Sequence, residues 1–388
     1  MSDTTTTDPA APPTDPGPDE PRDRGGLLAY LIGHQSGVVI VVALVISLLV
    51  GAALIRYQGV NPWYAYETLV REALVTPGGF TRTLQKTAPL VLTGLAVVLP
   101  LRVGLFNIGG QGQFAMGAIF GAWVAYVAGG AGFLGALLGM VAGLVFGALV
   151  GILVGVLKAY RGVHEVISTI MLNYIVAGVT FWLVVGPLQA ESSKTSGIPK
   201  TETIPEAAQL SAVAGVPVGF AVAVVLAVAC WWMLSRTSLG FRFNTVGANK
   251  SAAGYAGIPI NRVVVLSMAL GAGLAGLGGA LEAEGTLHQF EPAIVGTLGF
   301  DGITIALLAR ANPLATIPAA FLVGMLRTGA AGLQFATQTP TLPTGITPEI
   351  VDLLLAIILL MVSIPVLGRW IFRSRADKAS VATTSWGS

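Results

Sequence analysis

Three side-chain amides lie close together in an otherwise apolar part of the sequence, at Asn107, Gln111 and Gln113. A primary amide both donates and accepts hydrogen bonds, so it can hold a small polar solute or satisfy backbone groups. Amides are costly in hydrocarbon unless they are partnered or line a wet cavity. Four glycines within 104–113 allow the backbone to leave a regular helix. We therefore predict a break in regular structure, with Phe106 as a stacking face, whose amides contact a solute or tie the broken backbone together.

The elements that must position these amides are membrane helices. Hydrophobic residues make up 54% of the 388 residues and charged residues only 10%, whereas soluble domains carry about 25% charged residues. The mean hydropathy is +0.78, and the apolar residues form long runs, which is typical of a protein that crosses the bilayer several times. The single cysteine, Cys230, lies within such a run and excludes a disulfide framework.

These runs predict an all-α, polytopic membrane bundle of about ten spans within a domain over 27–370. Residues 1–26 are rich in Pro, Thr and Asp and predict a disordered tail, and 371–388 form a second tail. We expect 56–86 to be an amphipathic connection and 187–215 a polar linker. The approximate limits of the expected spans are 37–55, 87–102, 105–128, 133–157, 164–186, 216–235, 263–283, 298–310, 313–333 and 349–368.

The distribution of Lys and Arg indicates how the bundle is oriented. Fourteen of the 21 basic residues fall on the side of both chain ends, six fall on the other side, and Arg327 falls within a span. Cytoplasmic loops of membrane proteins are enriched in Lys and Arg. The sequence therefore predicts an even number of spans with both termini in the cytoplasm.

Two glycine patterns predict helix packing. Glycine recurs at every fourth position from Gly135 to Gly155, which leaves a groove for a neighbouring helix. The stretch 271–276 formally matches a dinucleotide fingerprint, but it lies inside an apolar span with no strand before it. The sequence contains no Walker, HExxH or paired-cysteine motif, so we expect no enzyme activity and no metal site. We also expect neither a cofactor nor a nucleic-acid partner.

Three further polar residues lie in or near apolar runs. Asn173 is either an amide of a polar path or a donor between helices, and the second role is the more common one. Asp301 and Arg327 are charges in apolar surroundings, where isolated charge is expensive and functional roles are frequent. We expect these two residues to pair with each other or to face water, or Asp301 to pair with a partner subunit.

The segment 236–262 is the longest one between spans on the predicted cytoplasmic side. Asn249 can cap a short helix that contains Tyr255, and Gly257 and Pro259 would end that helix. A short exposed helix with one aromatic residue suits docking into a groove of a soluble partner. A plain capped loop is the alternative interpretation.

Three motifs in order resemble one family of transport proteins. Within 236–262, the residues Gly240, Arg242, 246–249, 252–253 and 255–258 resemble the coupling loop of ABC importer permeases of the branched-chain amino acid and simple-sugar superfamily. The segments 104–113 and 299–310 resemble its nucleoside and simple-sugar branch, and the likeness covers roughly 37–370. Members often carry an acidic residue where this chain has Gln111.

The resemblance implies a permease subunit of an ATP-driven importer in a bacterial cytoplasmic (inner) membrane. Besides the lipid bilayer, it implies three protein partners. These are a cytoplasmic ABC ATPase that hydrolyses the ATP, a second homologous permease, and an extracytoplasmic substrate-binding lipoprotein. It implies nucleoside cargo; ribose- or galactose-type sugars are the nearest alternative, and an ion-coupled secondary transporter is a more distant one. The expected path residues are Phe106, Asn107, Gln111, Gln113 and Asn173, and the expected ATPase-coupling residues are Arg242, Gly247, Asn249, Tyr255 and Gly257.

Overall fold

The computed structural model describes residues 35–213, 215–292, 295–338 and 345–363. The predicted tails, 1–26 and 371–388, lie outside these residues. The described chain is mostly helical, with a single two-stranded hairpin, β1 (Ala212–Val213) paired antiparallel with β2 (Val216–Pro217). The helices are α1 Gln35–Tyr57, α2 Pro62–Leu74, α3 Gly79–Leu101, α4 Gly110–Val127, α5 Phe133–Arg161, α6 Glu165–Val185, α7 Glu191–Ser196, α8 Val218–Arg236, α9 Ser238–Ala248, α10 Lys250–Tyr255, α11 Ile260–Glu282, α12 Leu298–Leu308, α13 Thr316–Ala336 and α14 Glu349–Ser363.

Six helices among the described residues are long and apolar enough to cross a membrane: α3, α5, α6, α8, α11 with the π-helical turn Ala283–Leu287, and α13. A seventh span is added if α1 and α2, which meet at a bend of 114°, count as one. Ten complete spans are therefore not established by length and composition. The expected segments at α4 and α12 are shorter or begin with polar residues such as Gln111, and the expected segment 349–368 is described only as far as residue 363.

Helix α3 begins earlier than the sequence analysis expected, at Gly79 instead of residue 87. Its first two turns are polar, yet the structure satisfies them: the Thr83 hydroxyl donates to Ala73 O at 2.8 Å, and Lys86 lies 2.5 Å from the Glu282 carboxylate. The expected span 87–102 therefore extends back to Gly79, because tertiary partners stabilise the polar residues at its start.

The centre of the bundle consists of α3 and α11, which are largely buried, whereas most of the surfaces of α5, α6 and α8 are exposed. The predicted glycine row of α5 packs along α11, as expected. A side-chain carbon on Gly147 would lie 2.5 Å from Ala272 O, and one on Gly143 would lie 2.9 Å from Gly276 O. Gly276, from the discarded dinucleotide pattern, is the partner of this row, because only small residues allow two helix backbones to come so close.

Candidate functional site

The break between α3 and α4 starts from a proline. Pro100, near the end of α3, has no N–H, so the carbonyl of Ala96 lacks the usual donor four residues later in the helix. The chain then leaves the helix at residues 102–109 and brings the Asn107 side chain back to this point. Asn107 Nδ2 donates to Ala96 O at 3.1 Å, so the amide satisfies an acceptor that the proline creates.

Asn107 and Gln113 form a reciprocal amide pair. Asn107 Nδ2 donates to Gln113 Oε1 at 2.9 Å, and Gln113 Nε2 donates to Asn107 Oδ1 at 3.0 Å. The backbone N–H of Gly109 donates to the same Asn107 oxygen at 3.1 Å. Both side chains are fully buried. In this conformation the two amides bind each other and the broken backbone, as buried polar groups must.

Asn173 of α6 secures the start of α4. Its Oδ1 accepts a hydrogen bond from Gly112 N at 2.8 Å, and its Nδ2 donates to Ile108 O at 3.0 Å. The first turn of a helix has N–H groups with no partner inside the helix, and Asn173 satisfies one of them from another helix. The side chain therefore acts as a helix cap that the sequence could not place.

Gln111 joins the N-termini of α4 and α12. Its Oε1 accepts from Gly299 N at 3.0 Å and its Nε2 donates to Gly296 O at 2.7 Å, while the side chain stays partly exposed. The two backbones touch here, since a side-chain carbon on Gly110 would lie 2.7 Å from Gly299 O. Because Gly302, one turn further along α12, lies against Thr93 near the middle of α3, the crossing lies about halfway through the bundle.

Phe106 lies away from this crossing. Its partly buried ring packs against Val97 and Val98 of α3 and against Ala306, near the far end of α12. The structure therefore separates Phe106 from Gln111, although both residues were expected to face the same solute.

Beside the crossing lies a charged group that we call the Arg327 cluster, formed by Thr297, Asp301, Arg327 and Asp352. Arg327 Nε lies 2.7 Å from Asp301 Oδ2, which is the pairing that the sequence analysis expected. Arg327 Nη2 donates to Thr297 Oγ1 at 2.7 Å and to Asp352 Oδ1 at 2.8 Å. Three elements, α12, α13 and α14, are thus connected through one guanidinium group.

Sequence reasoning missed Thr297 and Asp352 as members of this cluster. Asp352 stands in the first turn of an apolar helix, and an acid within an apolar run was an available signal. Its partner could not be inferred, because the contact with Arg327 joins residues from two separate helices.

The segment 236–262 forms a compact surface of two helices, α9 and α10, which we call the docking face. Asn249 caps α10 as expected, since its Oδ1 accepts from Ala252 N at 3.0 Å, and α10 ends at Tyr255 before Gly257, whose φ is +72°. The first helix, α9, was not expected; the Thr237 hydroxyl accepts from Gly240 N and caps it.

The docking face is anchored on one side and exposed on the other. Phe243, Val246 and Ala253 are buried against the bundle. Tyr255 is 95% exposed, and Arg242 is also exposed. An aromatic residue this exposed, on a short helix whose buried residue is Ala253, is accessible from outside the bundle.

Gly247 connects the docking face to the break. A side chain there would collide with the carbonyl oxygen of Arg102, and Gly104 lies against Gly247. The Arg102 guanidinium in turn donates to Ala311 O, after the end of α12, at 2.7 and 3.0 Å. Direct contacts therefore connect the docking face to the start of the break and, through Arg102, to the residues that follow α12.

The comparisons with known proteins identify the family of this chain. The family model described as branched-chain amino acid transport system / permease component matches residues 79–363. The guanosine ABC transporter permease protein NupP of Bacillus subtilis is 32% identical over 83% of this chain and 91% of its own length. The nucleoside ABC transporter permease protein NupB of Lactococcus lactis is 33% identical over 89% and 96%. The glucose ABC transporter permease protein TsgB13 of Haloferax volcanii is 31% identical over 81% and 86%.

Each of these three organisms has a second permease that also matches, at 24 to 25% identity over 62 to 68% of this chain. A family model over most of the chain, together with relatives above 30% identity along nearly their whole length, shows the family. The chain belongs to the branched-chain amino acid transport system / permease component family, whose members are multi-pass membrane subunits of ABC transporters and not enzymes.

Proposed function

We propose that this chain is one of two permease subunits of an ATP-driven importer that carries nucleosides across a bacterial cytoplasmic membrane. The observation that carries the proposal is the contact of the docking face with the break, through Gly247 and the Arg102 carbonyl. An ATPase bound at Tyr255 would move the docking face, and the break would transmit this movement to the helices that cross halfway through the bundle. This is a route for alternating access in which ATP is hydrolysed on another subunit.

Nucleosides are favoured as cargo because two of the most similar relatives are named for guanosine and nucleosides. A sugar is the second candidate, because the relative from Haloferax volcanii is named for glucose at nearly the same identity. Both kinds of solute present ring hydroxyls to a partly exposed amide such as Gln111.

The same relatives support a heteromeric pair of permeases. In each of the three organisms one permease is 31 to 33% identical to this chain and the second only 24 to 25%. Two diverged subunits in one system would produce this pattern. We infer that this chain pairs with a more distant homologue, and that a substrate-binding protein delivers the cargo from outside.

We further propose ten helical membrane segments with both termini in the cytoplasm, including the partial spans α4 and α12. The contacts at the two ends of the bundle agree with the charge count. Arg102 contacts Ala311 at the end that carries the docking face, whereas Lys86 pairs with Glu282 at the opposite end. The cytoplasmic side would then be the one with the docking face.

The path would run along the crossing of α4 and α12. Gln111, which is partly exposed, is the amide placed to meet cargo, and Asn107, Gln113 and Asn173 would support the break behind it. Phe106 would act at the α3–α12 contact. In this proposal Gln111 contacts cargo, and the other expected path residues position the backbone around it.

The cargo proposal predicts uptake that depends on both this gene and ATP. Radiolabelled guanosine, adenosine, uridine, ribose and glucose would be offered to cells with and without the gene, before and after ATP depletion. We expect nucleoside uptake only when both the gene and ATP are present. Uptake of glucose or ribose alone would move the protein to the sugar branch, and uptake that survives ATP depletion would contradict the proposed function.

The docking proposal predicts that Tyr255→Arg releases the ATPase without harming the permease. Loss of a central aromatic anchor commonly costs about 2 kcal/mol or more, so we expect ATPase retention to fall at least about tenfold on purification of the complex. Tyr160→Arg is the matched control, because Tyr160 is also exposed and stands at the cytoplasmic end of α5. Equal retention in both variants would refute this docking site.

A further inference from the structure

The Arg327 cluster places charge in the interior of a membrane bundle. Gly302, the neighbour of Asp301, lies against Thr93 near the middle of α3, so the cluster lies about halfway through the bundle. Charged side chains at such depth are expensive and usually face a water-filled cavity or one another. Arg327 contacts Asp301, Asp352 and the Thr297 hydroxyl.

The cluster has more acid than base. Two carboxylates share one guanidinium, which leaves one formal negative charge uncompensated among the described residues in contact. The two carboxylates also differ in exposure: the Asp301 side chain is 10% exposed and the Asp352 side chain is 46% exposed. A half-exposed carboxylate on an apolar helix cannot face lipid, because hydrocarbon does not solvate it. Asp352 therefore requires water or a polar partner on its exposed side.

The groups beside the Arg327 cluster at the start of α12 are polar and aromatic. The Thr297 hydroxyl and the Asp352 carboxylate lie next to each other, because the same Arg327 nitrogen binds both. Phe300 stands one turn after Thr297 on the same side of α12, and its ring is 42% exposed. Gln111 holds the loop just before this turn through Gly296 and Gly299.

We propose that Thr297, Phe300 and Asp352 form the wall of the transport path that binds cargo, and that Asp352 accepts hydrogen bonds from two neighbouring hydroxyls of a ring solute. This inference rests on the proposed function. A carboxylate has two acceptor oxygens spaced for a vicinal diol, and the exposed ring can pack against the apolar face of a sugar or a base.

Asp301 and Arg327 are positioning residues in this site. Asp301 is the more buried acid and holds the guanidinium from behind, and Arg327 holds the Thr297 hydroxyl and one oxygen of Asp352 toward the path. Arg327 occupies only Oδ1 among the described contacts of Asp352, so the carboxylate retains acceptor capacity for cargo.

The test compares Asp352→Asn with Glu349→Gln in the complete complex of this chain with its ATPase, second permease and binding protein. Asparagine keeps the size of the side chain but offers one acceptor oxygen instead of two. We expect the KM for guanosine uptake to rise about tenfold, as for the loss of one charge-assisted hydrogen bond. Inhibition by 2′,3′-dideoxyguanosine, which lacks the diol, should not change. Glu349 is an exposed acid one turn earlier on α14, and its variant should match the wild type.

Other results of this comparison would overturn the inference. An unchanged KM, or an equal loss for guanosine and its dideoxy analogue, would make Asp352 a structural residue. Loss of the second permease from the Asp352→Asn complex would make this surface a subunit interface. If the wild-type complex transports glucose and no nucleoside, the proposed cargo is wrong. The inference would still be tested then, with glucose and its deoxy analogues.

Water access provides a readout that needs no knowledge of the cargo. In a Cys230→Ser background, Phe300→Cys should react with a membrane-impermeant maleimide in the assembled transporter, because the path contains water. Val225→Cys is the control, since Val225 is 65% exposed on the apolar surface of α8 and should face lipid. Absence of labelling at residue 300, with the complex intact, would contradict the inference.

Discussion

Gly276→Val is expected to abolish accumulation of the folded permease. A side chain at this position of α11 would collide with the Gly143 carbonyl and would lie 2.7 Å from the Gly147 Cα, both of which belong to the backbone of α5. A backbone cannot turn aside as a flexible side chain can, so α5 and α11 must separate. Since the close approach of small residues supplies much of the attraction between membrane helices, we expect the yield of monodisperse protein to fall about tenfold or more.

Gly178→Val is the matched control for this prediction. Gly178 lies inside α6, and a side-chain carbon there meets nothing within 4 Å. The same substitution in another membrane helix should therefore leave the yield near that of the wild type. Size-exclusion chromatography of the detergent-extracted proteins measures both variants. A normal Gly276→Val profile would show that α5 and α11 do not pack along the glycine row.

Asn107→Leu is expected to destabilise the bundle by several kcal/mol. The substitution leaves the Gln113 amide, the Ala96 carbonyl and the Gly109 N–H without their partner in a fully buried place. Each unsatisfied buried group costs about 1–3 kcal/mol, and the total approaches the 5–15 kcal/mol by which folded proteins are commonly stable. Thermal unfolding of the purified protein should show a large decrease in Tm.

The double variant Asn107→Leu/Gln113→Leu tests the reason for this loss. Removing both members of the amide pair eliminates the orphaned amide, so the double variant should be more stable than Asn107→Leu alone. The two roles considered for these amides lead to different results. A variant with wild-type Tm but strongly reduced uptake would mean that Asn107 contacts cargo instead of the broken backbone.

Local composition was sufficient for several parts of the structure. Asn249, Tyr255 and Gly257 predicted the capped helix of the docking face, because caps and helix ends depend on residues close in sequence. The repeated glycines of α5 predicted close helix packing for the same reason, since their spacing places them on one face.

The sequence did not show which residues form hydrogen bonds and ion pairs with each other across the bundle. Asn173 and Gln111 were recognised as unusual amides, yet their partners Gly112 and Gly299 lie 61 and 188 residues away. The sequence analysis also left the polar start of α3 out of the span. It could not show that Lys86 pairs with Glu282 across the bundle. Hydropathy describes one residue at a time and contains no information on such contacts.

By itself, the sequence determined that this protein is a helical membrane protein, that its chain breaks at 104–113 and that 236–262 contains a short capped helix, because hydropathy, glycine and capping residues act over short distances. Only the tertiary structure decided that Asn107 and Gln113 face each other, that Gly247 links the docking face to the break, and that Asp352 joins Arg327. These features depend on which helices meet, and that is decided by the packing of the whole bundle.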